Sequence, residues 1–173
     1  MAISMYDISV LPFRQVLAGV AGFLEKGRNH CVEAGIDLDT VVTSRLAPDM
    51  FPFRFQVAAV AHHSLGALRG IEAGVFGPPT VPELDYARLQ ALIAEAQAGL
   101  VAATPETVNA LEGREVEFRL GKSQIPFVAE HFILSFSLPN LHFHATTAYD
   151  LLRQQGVPLG KRDYLAQLRI KGS

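Results

Sequence analysis

The chain has 173 residues, 49% of them hydrophobic and 18% charged, with a formal net charge of -2 at pH 7. Roughly 70% of the surface of an unfolded chain of this length is buried on folding, so one domain over residues 1–173 needs no disulfide or metal to hold it, and a disulfide-stapled miniprotein is excluded. Lys and Arg are scattered and the pI is near 6.3, which leaves no electrostatic footprint for phosphate backbones, so nucleic acid is not an expected partner.

The single cysteine, Cys31, cannot form an intrachain disulfide, and the N-terminus lacks a basic stretch leading into an apolar core and cleavage site. This reads as a cytoplasmic chain. Mean hydropathy is high, at +0.21. The longest uninterrupted apolar run, Val16 to Leu24, is nine residues and is closed by Glu25 and Lys26, whereas a bilayer crossing needs about 20. No membrane partner is expected, and the surplus apolar surface points to a core or to the interface of a homodimer.

From about Tyr6 to Ala34 the spacing of Val10, Phe13, Leu17, Val20 and Leu24 predicts one long helix with Pro12 in its first turn and Gly35 as its stop. Ile36 to Pro52 reads as an ordered connection whose two prolines interrupt any continuous helix. A second, alanine-rich helix is predicted from about Pro52 to Ala73, apolar on most sides and therefore central, and Gly74 to Pro79 reads as the loop that ends it. A third helix, about Asp85 to Ala103, places Leu89, Leu92, Ile93, Ala96 and Leu100 on one face, and Thr104-Pro105 opens a short helix.

Glu115 to Phe127 breaks the helical rhythm. Val116, Phe118 and Leu120 alternate with charged residues, Gly121-Lys122 supplies a turn, and Ile125 and Phe127 resume the apolar side, which predicts a β-hairpin. A last helix is predicted from about Val128 to Gln155, kinked or divided by Pro139, and the tail beyond Gly156-Val157-Pro158 is irregular or a short helix. The pattern is all-α: a four-helix bundle with a small β-hairpin insertion before the last helix.

Sites in such bundles are built from inward-pointing side chains on facing helices. Six histidines are present, and His62, His63 and His144 lie in the most apolar segments, where an imidazole must find a hydrogen-bond partner or a metal. His144 shares a face with Asn140, Thr147, Ala148 and Leu151, while His142 is rotated roughly 200° away. His62 and His63 are alternatives for the core-facing position of the second helix. A histidine from there and His144 make two ligands, where a catalytic metal site wants three and a water; Asn140, Glu130, His131 and Asp150 are candidates for the third. Neutral, structurally satisfied histidines are the competing reading, and acid/base or polar-ligand use without a metal is a third.

Other signals are weaker. Gly121-Lys122-Ser123 lacks the upstream glycine of a phosphate-binding loop, since Val116 stands there. Ser64 and Ser135 lack a nucleophile-elbow setting, and Cys31 and His30, adjacent on a helix, point about 100° apart. Arg45, Asp49, Arg153, Lys161 and Asp163 read as ion pairs and caps that fix loops. Tyr149 reads as a core aromatic with its hydroxyl at the rim, and as a pocket candidate with Asn140 and His131.

The strings Arg45-Leu-Ala-Pro-Asp-Met-Phe-Pro52, Pro139-Asn-Leu-His-Phe-His-Ala-Thr-Thr-Ala-Tyr149 and Gly156-Val-Pro-Leu-Gly-Lys-Arg-Asp163 resemble an uncharacterised bacterial domain family related to the DinB/YfiT-like proposed metalloenzymes. The resemblance runs from Ser4 to Tyr164. It implies a four-helix bundle, often dimeric, in a superfamily where a second-helix histidine and a His-x-x-x-His pair on the last helix bind a divalent metal such as zinc or nickel, and where some relatives are thiol-dependent transferases or isomerases. Carried onto this chain, the second-helix ligand is His62 or His63, and the last-helix pair falls on Asn140 and His144 or on His144 and Ala148. Either way one histidine of the triad is absent. Two functions stand side by side: a pocket near His144 that binds a divalent metal or small polar ligand, with thiol-transfer or hydrolytic chemistry if it is an enzyme, and a non-catalytic dimeric binding or interaction protein with structural histidines.

Overall fold

A computed structural model describes residues 3–171. The first predicted helix is two: α1 (Met5–Ile8), capped by Ser4, and α2 (Val10–Ala34), with the break at Ser9. Ser9 is buried, and its hydroxyl bonds back to the Met5 carbonyl at 2.6 Å, so the polar group at the break is satisfied within the turn. Pro12 falls in the first turn of α2, and Gly35 ends the helix with φ +67, a left-handed conformation that glycine adopts without strain.

The connection is not wholly irregular. Asp37 caps α3 (Leu38–Thr43), which tucks Val41 and Val42 into the core. The second predicted helix is present as α4 (Phe53–Ala61), a π-helical turn (His62–Gly66) and α5 (Ala67–Ala73). The third is α6 (Tyr86–Ala102), capped by Asp85, and α7 (Pro105–Asn109) starts from a Thr104 capping box with proline in its first turn.

The hairpin is β2 (Glu115–Leu120) and β3 (Ser123–Val128), paired antiparallel with Phe118 opposite Ile125. It belongs to a three-stranded sheet. Val75 and Phe76, expected in a loop, form β1, which pairs parallel with Glu117 and Phe118. A two-residue strand has no periodicity of its own, and its partner lies some forty residues away. Only Val116 and Phe118 of the hairpin's apolar residues are buried; Leu120 and Ile125 face solvent. Pro126 occupies the edge strand, where a missing N–H does least harm.

The last helix is α8 (Ala129–Phe132), a second π-helical turn (Ile133–Ser137) and α9 (Leu138–Gln154). Pro139 therefore interrupts the ladder as expected. The interruption takes the form of a widened turn just before it, which leaves the chain helical where the proline cannot donate to the preceding turn. The tail contains α10 (Lys161–Leu165), docked on α2.

The molecule is thus mostly helical with a small three-stranded sheet. α2, α4, α6 and α9 pack against one another around a core that includes Phe13, Phe23, Phe53, Leu89, Ile93, Leu141 and Leu151. By length and composition the helical stretch Met5–Ala34 could cross a membrane, since its best 18-residue window averages a hydropathy of 1.3, although no single apolar run in it is long; half of that window is buried in the fold. Phe76, Phe118, Phe127, Phe132 and Phe136 form a continuous aromatic cluster that fastens the sheet to the second π-helical turn. This cluster sets the position of the histidines.

Candidate functional site

The two π-helical turns meet. The Ser137 hydroxyl, at the end of one, donates to the His63 carbonyl in the other at 2.8 Å. A π-turn inserts one residue into a helix and rotates the residues beyond it, and such turns occur often where a side chain must be re-aimed for function. Here His62 and His63 are the first two residues of the turn.

His63 is buried, at 5% exposure. Its ring stacks nearly parallel on His144, with centroids 5.7 Å apart and planes 17° apart, and it touches Phe76 and Phe136. Its Nδ1 has no hydrogen-bond partner among the described residues. Burial, then the neighbouring His62 and His144, pull its pKa down to about 3, so it is a neutral imidazole at physiological pH.

His144 is half-buried, with its pKa pulled down to about 4 by burial and then by His62. Its tautomer is fixed by a chain of bonds. The buried Gln56 donates its Nε2 to the Phe51 carbonyl at 2.8 Å, which leaves Gln56 Oε1 as the acceptor facing His144 Nδ1 at 2.8 Å. An oxygen cannot donate, so Nδ1 carries the proton and Nε2 carries the lone pair. His62 obeys the same logic: its Nε2 donates to the Gly77 carbonyl at 2.7 Å, leaving Nδ1 bare, and its ring stacks on Phe76 at 4.3 Å. Burial lowers the His62 pKa, against the hydrogen bond to Gly77.

His62 also opens onto a groove. A groove of about 680 Å³ runs between α4–α5, the 78–84 loop and α6. His62, Leu65, Gly66 and Arg69 line one wall, and Arg88, Leu92, Glu95 and Ala96 line the other. These are three- and four-residue steps, each one face of a helix. Arg88 pairs with Glu95 along α6, and Arg54 pairs with Glu83 of the loop at 2.9 Å.

A family model described as a domain of unknown function, DUF1993, matches residues 5–165. The chain belongs to the DUF1993 family. Among solved structures, a DinB family member protein from Shewanella denitrificans superposes with a TM-score of 0.77 at 25% sequence identity, covering 97% of this chain and 95% of that one. No curated protein matches the chain. The resemblance read from the three sequence strings, to an uncharacterised family with DinB relatives, is thereby shown.

The DUF1993 chain brings together the three histidines singled out in its sequence: the His62 and His63 rings are 5.4 Å apart, and His63 stacks on His144. The other candidates lie elsewhere. Asn140 turns its amide back to the Phe136 carbonyl at 2.7 Å. His131 is exposed on α8, and Glu130 Oε1 accepts from the Gly113 N–H at 2.8 Å. Tyr149 packs edge-on against Phe23 and donates to the Leu159 carbonyl at 3.4 Å, away from the histidines. Arg45, Arg153 and Asp163 hold loops and caps: Arg45 bonds the Met50 carbonyl, Arg153 the Val157 carbonyl, and Asp163 caps α10 and pairs with Lys26.

The donor set does not fit the three-histidine metal that the DinB resemblance implies. Ligand lone pairs must converge on one point about 2.0–2.1 Å from each nitrogen, whereas His62 Nε2 is spent on the Gly77 carbonyl and His144 Nδ1 on Gln56 Oε1, which leaves one free nitrogen on each of those rings. Among the described residues, no group of three or more His, Cys, Asp or Glu side chains is placed to hold a metal ion. Neither Asn140 nor Ala148 restores the missing histidine.

Sequence reasoning missed the groove, because one of its walls is the loop from Pro78 to Leu84. A partial signal was available in the matched helical spacing of His62 with Arg69 and of Arg88 with Glu95.

Proposed function

We propose that this DUF1993 chain is a four-helix bundle of DinB type that binds a small polar molecule in the groove beside His62, as a cytoplasmic homodimer without a resident metal. The four long helical units, α2, α4–α5, α6 and α8–α9, support the bundle reading. One observation carries the ligand: the groove of about 680 Å³, within the usual size of a small-molecule site, has an imidazole and three charged side chains on otherwise apolar walls. His62 sits there neutral, with its outward hydrogen bond fixed by Gly77.

The single buried Cys31 accords with a reducing compartment. Exposed Phe51, Phe143 and Leu134 offer apolar surface for a second copy.

The test is thermal unfolding against a panel of small carboxylates, amines, thiols, sugars and divalent metals, run on the natural chain and on Leu92→Trp, which obstructs the middle of one groove wall. A groove ligand raises the unfolding temperature of the natural chain and not that of the variant. Stabilisation confined to zinc or nickel, retained in Leu92→Trp and lost in His144→Ala, overturns the reading in favour of a metal site.

A further inference from the structure

We infer that the groove selects an amphiphilic monoanion, a carboxylate with a hydrocarbon or ring body, and that Arg69 is the residue that pairs with its head; this rests on the groove being the ligand site. The groove's charges are unequal. Arg88 is already held by Glu95. Arg69 lines the same wall as His62 and makes no hydrogen bond or ion pair with any described residue. Two guanidinium groups facing one carboxylate leave the lining with one positive charge, and Arg69 is where that charge is uncommitted.

A guanidinium is a planar fork of donors that matches a carboxylate through two parallel N–H···O bonds. A monoanion balances the site. A dianion such as a phosphate monoester would bring a second charge with no cation to meet it, since His62 is neutral and cannot supply one. Thr80, exposed on the loop wall, is the remaining hydroxyl at the rim.

The rest of the lining describes the body of the ligand. Ala58, Leu65, Leu84, Leu92 and Ala96 offer apolar surface, and the prolines of the loop are stiff walls with no N–H to satisfy. The floor is shaped from behind. A Cβ on Gly99 of α6 would lie 2.4 Å from Leu65 Cδ2, so glycine there is what lets Leu65 pack directly against α6 at the base of the groove.

The experiment uses the full chain with octanoate and 1-octanol as probes, read by chemical-shift titration of the backbone amides, on the natural protein and on Arg69→Gln. Arg69 is exposed and unpartnered, so the substitution leaves the fold intact. Octanoate is expected to shift the Leu65, Leu92 and Ala96 amides and to bind at least tenfold more weakly to Arg69→Gln, while octanol binds both proteins alike. If octanoate and octanol bind in the groove with equal strength and Arg69→Gln changes neither, the groove stands and the carboxylate selection is overturned. If neither probe moves any groove amide, the inference and the groove reading fall together. If octanoate binds but the shifts centre on other residues, the assignment to Arg69 is overturned.

Discussion

Replacing His63 with Leu removes a buried imidazole while roughly conserving volume, and the consequence depends on pH in a calculable way. In the folded chain His63 titrates at about 3, against 6.5 for an ordinary histidine, chiefly because it is buried and secondarily because His62 and His144 surround it. Between those two values the unfolded chain holds a proton that the folded chain does not. The native state is therefore at full strength above about pH 6.5 and loses stability as pH falls toward 3. Each unit of that window is worth about 1.4 kcal/mol, so acidification from pH 7 to pH 5 removes about 2 kcal/mol through His63. His144 titrates at about 4 and acts in the same direction, with a smaller share because it is half-exposed and solvent screens it. At pH 7 the variant should be more stable than the natural protein by about 1 kcal/mol, since it deletes the unpartnered Nδ1. Urea unfolding at pH 7, 6 and 5 measures both effects: the natural chain weakens steeply, and His63→Leu weakens much less. An equal loss in the two proteins between pH 7 and pH 5 would refute the claim that His63 is held neutral in the core.

Other contacts carry their own expected outcomes. Gln56→Leu leaves the Phe51 carbonyl and His144 Nδ1 without their shared partner and should cost about 1–3 kcal/mol in urea unfolding. Gln56→Glu places a carboxylate against the same ring and should raise the His144 pKa, read by the ring-proton shifts against pH. Gly19→Ala puts a methyl 2.4 Å from the Tyr164 backbone carbonyl, which cannot rotate aside, so α10 should undock and the amides from Lys161 to Leu165 should exchange with solvent much faster. Light scattering on a sizing column should give twice the chain mass, and Phe51→Ser with Phe143→Ser should return the single-chain mass.

The long helices were legible because periodicity and end signals agreed. The stripe from Val10 to Leu24, Gly35 as a stop, Asp85 as a cap and the Thr104-Pro105 start all fall where the structure puts them. The hairpin was legible for the same reason, with strand alternation meeting the Gly121-Lys122 turn. What escaped was whatever depends on a partner far along the chain. β1 exists because Val75 and Phe76 lie beside Glu117 and Phe118, and neither residue announces that by itself. The π-turn at His62–Gly66 is one residue of slippage in an alanine-rich helix, too little to disturb an apolar pattern that already covers most sides.

The site divides along the same line. Polar residues on apolar helices picked out His62, His63 and His144, and the structure gathers those rings. Spacing could not show that His63 would stack on His144, nor that Gln56 would fix the His144 tautomer from another helix. Asn140 sits on the face of His144 as its four-residue step requires, but its amide is taken by the Phe136 carbonyl one turn back. A shared face places a side chain without saying which neighbour claims its hydrogen bonds.

The most direct test of the central claim is backbone chemical-shift mapping of the tag-free chain with whichever molecule stabilises it most in the thermal panel, metals included. The account predicts shifts concentrated at the Leu65, Arg69 and Leu92 amides, with the His144 amide unmoved. Shifts centred on His63 and His144, with the groove amides unchanged, would contradict it.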